Sequence, residues 1–195
     1  MRGLNDSKDM NKAKAGVEDA GLRAHTGGSW QVKFVVLALI AVAWIAADRA
    51  TKGLVDNGIN QVGSTVGDAV AGLFYVHLVY NTGGAWSIFS GATIALGAFS
   101  VLMCAALLAF AIVQRERISW PEIVGLALVI AGGMGNALDR FLLNHVVDFI
   151  DLSFMDFPVF NVADIGVTCG IVIFLIGWLW RQRIEDNESA AEEGR

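Results

Sequence analysis

Charge is scarce and unevenly placed in this sequence, and cysteine and histidine are scarcer still. Only 17% of the 195 residues are Asp, Glu, Lys or Arg, whereas 55% are hydrophobic, and the mean hydropathy is +0.55. A water-soluble domain carries roughly a quarter of its residues as charges, so lipid is the expected solvent for most of this chain. Two cysteines, Cys104 and Cys169, each inside an apolar run, exclude a disulfide framework or a thiolate metal site and read as buried, inert thiols. The three histidines, His25, His77 and His145, are scattered without ligand spacing, and no H-E-x-x-H string accompanies them. A net charge of −5, from 19 acidic and 14 basic residues, lacks the basic footprint of a nucleic-acid-binding protein. No repeat of useful length and no low-complexity segment is present.

What the sequence does have is long uncharged stretches. A bilayer core of about 30 Å needs roughly 20 mostly apolar residues in a helix, and four stretches qualify, at about 30–52, 90–113, 123–138 and 165–180. Lys and Arg mark their orientation. Lys12, Lys14, Arg23 and Lys33 precede or open the first stretch, Arg115 and Arg117 join the second to the third, and Arg181 and Arg183 follow the fourth, while 53–90 holds no Lys or Arg. Short loops rich in these residues stay in the cytoplasm, so both termini are expected there, with the first and third connections exported. A competing reading makes the first stretch a cleavable signal peptide ending near Ala41-Val42-Ala43. Cleavage there leaves an odd number of spans, which conflicts with the basic residues at one terminus.

The fold expected is therefore a mostly α membrane protein with four transmembrane helices. Residues 1–29 and 184–195 are polar and aperiodic, and are expected to be disordered extensions of a four-span domain at 30–183. The string Leu73-Phe74-Tyr75-Val76-His77-Leu78-Val79-Tyr80 is rich in strand formers and is followed by a Gly83-Gly84 turn. It predicts a short sheet lying on the outer membrane face.

Ionisable groups within or beside such spans cost roughly 3 kcal/mol unless paired or hydrated, so each calls for a reason. Five strings stand out, all toward the exported ends. In Asp48-Arg49-Ala50-Thr51-Lys52, the acid and the lysine lie one helical turn apart, as a helix-ending salt bridge or part of a site. In Asn81-Thr82-Gly83-Gly84-Ala85-Trp86, the glycines let a substrate backbone approach and Asn81 offers it hydrogen bonds, although a plain loop reads the same way. In Gly132-Gly133-Met134-Gly135-Asn136-Ala137-Leu138-Asp139-Arg140, small residues permit close helix packing and lead to Asn136, Asp139 and Arg140 on one face. Val146-Val147-Asp148-Phe149 places an acid among apolar neighbours, followed by Asp151, in what also reads as a solvated loop. Phe160-Asn161-Val162-Ala163-Asp164 runs into the last span, where Asp164 reads equally as a simple helix cap.

Taken in order, these strings resemble the motifs of the bacterial lipoprotein signal peptidases, signal peptidase II of aspartyl peptidase family A8: D-x-x-x-K, N-x-G-A, G-x-x-G-N-x-x-D-R, V-V-D-F and F-N-V-A-D. The resemblance spans about 48–164 and takes in all four stretches. It implies that Asp148 and Asp164 are the catalytic carboxylates and that Asn136, Arg140 and Asn161 line the site. Asn81, Gly83, Asp48, Lys52 and Asp139 are then substrate-binding or site-supporting. It further implies cleavage of diacylglyceryl-modified prolipoproteins just before the lipidated Cys, on the exported side of the bacterial inner membrane. The enzyme is expected to act as a monomer among membrane lipids, with no cofactor and no metal. One segment departs from the family pattern: N-x-G-A-A-F reads Asn81-Thr82-Gly83-Gly84-Ala85-Trp86, which puts substrate fit and loop stiffness in question but leaves the acids untouched.

Two carboxyl groups that share one proton supply both an activated water and a proton for the leaving amine. Arg140, Asn136 and Asn161 add donors for developing charge. Three other chemistries compete. A serine peptidase would use Ser87 or Ser90, but no histidine in a later span serves as its base. A carboxylate metal site would draw on Asp139, Asp148, Asp151 and Asp164. A proton-coupled transporter or a non-enzymatic four-span scaffold also uses intramembrane Asp and Arg, but here the acids gather at one rim instead of crossing the bilayer.

Overall fold

A computed structural model describes residues 29–59 and 61–193; residues 1–28 of the expected N-terminal extension lie outside them. In chain order the elements are α1 (Trp30–Gly58), β1 (Thr65–Val70), β2 (Phe74–Asn81), a 3-10 turn (Ala85–Ser87), α2 (Thr93–Val113), α3 (Trp120–Leu143), β3 (Val146–Leu152) and α4 (Val162–Glu193). The shortest helix has 21 residues. At 1.5 Å per residue it reaches about 31 Å, enough for a bilayer core, and all four helices are long and apolar enough to cross a membrane.

The helices overrun the apolar stretches for local reasons. α1 continues past Lys52 to Gly58 because Lys52 and Asp48 are buried and paired inside it, so their charges do not end the helix. α3 starts at Trp120, with Pro121 in its first turn. The Glu122 carboxylate there accepts the Ser119 backbone N–H at 2.8 Å and its hydroxyl at 2.7 Å, which satisfies a donor left open at the helix start. α3 stops at Asn144, held in the left-handed region at φ 62°. The acidic tail expected to be disordered beyond 183 instead continues α4 to Glu193. Glu and Ala favour helix, and Arg181 pairs with Glu185 one turn on at 3.1 Å.

α3 is the central helix and packs against α1, α2 and α4. Small residues let it do so. A Cβ added at Gly132 would meet the Ala163 carbonyl oxygen, and one at Gly135 would come within 2.8 Å of Asp48 Oδ2. At these two points α4 and α1 approach the α3 backbone as closely as hydrogen permits. At the other end of the bundle, Leu37, Ala111, Ile118, Ile123, Leu126 and Ala127 form the apolar core. Ion pairing secures that end too, through a 3.1 Å bridge between Arg181 and the buried Glu122.

The strands form one antiparallel sheet in the order β1-β2-β3. β2 was visible in the sequence, but β3 was not. From 146 to 150 β3 is buried on both faces, so it shows none of the alternation that marks a half-exposed strand. In the register of β2 with β3, Val79 faces Asp148 and Asn81 faces Val146. α1 and α3 end, and α2 and α4 begin, at the same end of the bundle, and the sheet lies among those ends.

Candidate active site

The site is built where the end of α3, the start of α4, β3 and the end of β2 meet, and Asn161 is its hub. Its carbonyl accepts the Ile165 N–H, the first bond of α4. Its Oδ1 accepts the Asp164 N–H at 3.1 Å, and Asp164 Oδ2 accepts the Asn161 N–H at 3.1 Å. This reciprocal arrangement is a capping box. Asn161 therefore occupies the cap position that the sequence suggested for Asp164, and Asp164 lies three residues inside. The Asn161 amide also donates to Asp148 Oδ1 at 2.6 Å and to Asn136 Oδ1 at 3.1 Å. One residue thus touches both carboxylates.

Two more amides complete the pair. Asn136 Nδ2 donates to Asp164 Oδ1 at 2.8 Å, and Asn81 Nδ2 donates to Asp148 Oδ2 at 3.0 Å. All four carboxylate oxygens have a donor, and all four donors are neutral. Neutral donors orient a carboxylate without cancelling its charge. A neighbouring like charge disfavours the ionised form of a carboxyl group, and burial disfavours it further. Asp148 is only 3% exposed. Burial first, and then the charge of Asp164, push its carboxyl up to about 7, against the opposing pull of the Asn81 and Asn161 amides and the Lys52 ammonium.

Behind the amides stands a charged layer. Lys52 Nζ, almost wholly buried, reaches Asn136 Oδ1 at 2.9 Å, Asp48 Oδ2 at 2.9 Å and Asp139 Oδ2 at 2.8 Å. The ammonium therefore donates one hydrogen bond, to the Asn136 amide oxygen, and forms ion pairs with both carboxylates. Asp48 Oδ1 accepts the Ala163 N–H at 3.0 Å and so ties α1 to the start of α4. Asp139 also pairs with Arg49 and accepts the Val147 N–H at 3.4 Å, one residue before Asp148. Arg140 donates through Nη2 to the Gly83 carbonyl at 3.0 Å and through Nη1 to that of Asn136 at 3.3 Å. The Gly83 N–H in turn donates to Asn81 Oδ1 at 2.9 Å.

Every site residue read from the sequence therefore falls in one connected network. Asp151 stands apart, paired with His77 at 3.0 Å across the sheet. Among the described residues no group of three or more His, Cys, Asp or Glu is placed to hold a metal ion. Of the two rival nucleophiles, Ser90 is exposed, shares a hydrogen bond with Thr82 at 3.1 Å and does not line the cavity described next, and the side chain of Ser87 lies outside the described residues.

The two carboxylates open onto a cavity of about 550 Å³. Asn81, Asn136 and Arg140 form its polar side, and Leu152, Met155, Phe157 and Phe160 its apolar side. At the rim, Trp86 meets Phe157 edge to face at 5.8 Å, and Phe157 meets Phe160 at 5.9 Å. The apolar wall carried no motif and was invisible in the sequence. Neither was the place of Cys169 foreseen: it is exposed and lines the cavity on α4 with Thr168, which corrects the expectation of a buried thiol. An all-apolar run does not distinguish the lipid face of a span from its packed face. Cys104 is buried as expected.

The family model for signal peptidase (SPase) II matches residues 40–180. The lipoprotein signal peptidase of Microcystis aeruginosa is 36% identical over 138 residues, covering 71% of this chain and 88% of that protein. That of Gloeobacter violaceus is 39% identical over 144 residues, covering 72% and 80%. A bacterial membrane enzyme solved by the in meso method at 2.3 Å resolution superposes with a TM-score of 0.68 at 29% identity, over 75% of this chain and 89% of its own.

Proposed function

Because this chain belongs to the signal peptidase II family, the lipoprotein signal peptidases, we propose that it cleaves diacylglyceryl-modified prolipoproteins just before the lipidated Cys, with Asp148 and Asp164 as its acid and base. The observation that carries this reading is Asn161, which binds one carboxylate through its side chain and the other through its backbone. A water held between the two acids loses a proton to the ionised member as it attacks the scissile carbonyl. The protonated member polarises that carbonyl, and the proton passes on to the departing amine. Arg140 and the amides of Asn136 and Asn161 orient the substrate backbone and stabilise the oxyanion.

The site end of the bundle faces the exported side of the inner membrane in this proposal. Arg115 and Arg117, between α2 and α3, and Arg183, beyond the apolar part of α4, lie at the opposite end, and positive loops stay in the cytoplasm. The apolar wall of the cavity suits a substrate whose acyl chains remain in lipid. One copy of the chain contains the whole network, so a monomer suffices.

With purified enzyme and a precursor offered with and without its diacylglyceryl group, only the modified form is expected to be cut, at the bond before the Cys. Equal cleavage of both forms, followed by mass spectrometry of the products, would overturn the substrate assignment.

A pH profile tests the acid and base separately. Below about 7 Asp148 keeps its proton; as the pH rises through that value the pair loses its acid, so kcat/KM is expected to fall. Asn81→Ala removes a hydrogen bond to the ionised form, which lifts the carboxyl further, so the alkaline limb moves to higher pH. A limb that stays in place, or moves down, contradicts the role given to Asn81.

A further inference from the structure

The geometry assigns Arg49 a role that none of the sequence motifs gave it: a positioning residue whose guanidinium balances the charge of the layer behind the catalytic pair. The inference rests on the reading of Asp148 and Asp164 as that pair.

The charges around the site come from four elements. α1 contributes Asp48, Arg49 and Lys52, α3 contributes Asp139 and Arg140, β3 contributes Asp148, and α4 contributes Asp164. Asp48, Asp139, Arg49 and Lys52 form the rear layer, and their two negative and two positive charges cancel. In front, Arg140 matches the single negative charge of a pair that holds one proton. The site is neutral in two layers, and Asn136 stands between them, accepting from Lys52 and donating to Asp164.

Arg49 keeps the rear layer neutral. Asp139 is wholly buried, while the Arg49 side chain is 34% exposed. Without Arg49, two buried carboxylates share one ammonium. Lys52 is then drawn toward Asp48 and Asp139 and away from Asn136 Oδ1, and the donor on Asp164 loses its support. Asp139 also receives the Val147 N–H, so the same unbalanced charge bears on the strand residue beside Asp148. A negative charge left behind the pair holds protons on both acids to higher pH. Because the guanidinium reaches solvent, a polar replacement at this position opens no void in the core.

The test uses the purified full chain and a lipid-modified precursor, with Arg49→Gln, Arg49→Lys and the double variant Arg49→Gln with Asp139→Asn. Arg49→Gln is expected to lower kcat at pH 7 about tenfold, with KM changed less than about twofold. Both limbs of its pH profile should move upward by about half to one pH unit. Arg49→Lys, which restores the charge without the fork, should return the limbs to their wild-type positions. The double variant removes one charge of each sign and should do the same, even if its kcat stays low. An Arg49→Gln profile that drops without moving marks a merely structural role and overturns the inference, as does an unchanged profile. If the double variant does not fold, the lysine variant decides alone. Asp148→Asn is run alongside: full activity there sinks the carboxylate pair itself, a result distinct from any failure of Arg49.

Discussion

Replacing Asp148 or Asp164 with Asn is expected to lower kcat on a lipid-modified precursor by about 10³- to 10⁴-fold while the protein still inserts and folds. Asn has nearly the volume of Asp and keeps one of its two oxygens, so it retains one of the hydrogen bonds from Asn161 and Asn81 and meets the other donor with an NH2. The variant cannot exchange a proton. Because the two acids act as one unit, the double variant should be little slower than either single one. Stability separates this loss from misfolding. A folded-state carboxyl pushed from 3.8 up to about 7 means that the native state holds a proton that the unfolded chain releases. Its contribution to stability is complete below the ordinary value and is lost as the pH rises through about 7. Asn escapes that loss, so Asp148→Asn should unfold at a temperature equal to or above that of wild type at pH 8, with the gap closing toward pH 4. Thermal unfolding in detergent at the two pH values, beside gel-based processing of the precursor, checks both halves. Full processing by either single variant removes that residue from the catalytic pair.

How much of this was legible in the sequence follows from what each element has to hide. The four spans were visible because a helix in lipid must be apolar over about 20 residues, and β2 was visible because it is half exposed. β3, buried on both faces, looks like any short apolar run. The polar network was legible as a set because charge is rare here, so ten residues of unusual type in five strings could be found without knowing which touch. Their pairing was not legible. A salt bridge from Lys52 to Asp48 one turn away was one of two readings of that string, and the pair forms without ending the helix, but the contacts of Lys52 with Asn136 and Asp139 cross from α1 to α3, and no periodicity reports a contact between residues 84 or more positions apart. Arg49 went unnoticed for the same reason. At a helix end, beside an acid and near a lysine, it looks like another interfacial cation, and only its bond to a wholly buried Asp139 distinguishes it. The cavity wall from Leu152, Met155 and Phe157 is ordinary apolar surface in sequence and acquires meaning from facing two acids.

Lys52→Met should be the most destabilising single change in the network, by about 3–5 kcal/mol. Three acceptors from two helices converge on one ammonium that is 1% exposed, and methionine fills similar volume without replacing any of these bonds. Asp48 keeps only the Ala163 N–H and Asp139 keeps Arg49 and the Val147 N–H, with excess negative charge sealed among packed helices. Arginine should not rescue the position. Its planar fork is larger than an ammonium, and Asp48 Oδ2 already sits within 2.8 Å of where a Cβ on Gly135 would be, so Asp48 cannot retreat toward α3 to make room. Neutralising one partner should help: Lys52→Met with Asp48→Asn removes one charge of each sign and is expected to recover part of the lost stability. Activity should not return with it, because Asn136 still lacks the cation that polarises its amide toward Asp164. Unfolding in detergent, with processing measured on the folded fraction, separates the two effects. A Lys52→Met protein within about 1 kcal/mol of wild type would show that a buried charge cluster of this kind tolerates the loss of its centre, and the charged layer would then lose its place as the support of the catalytic pair.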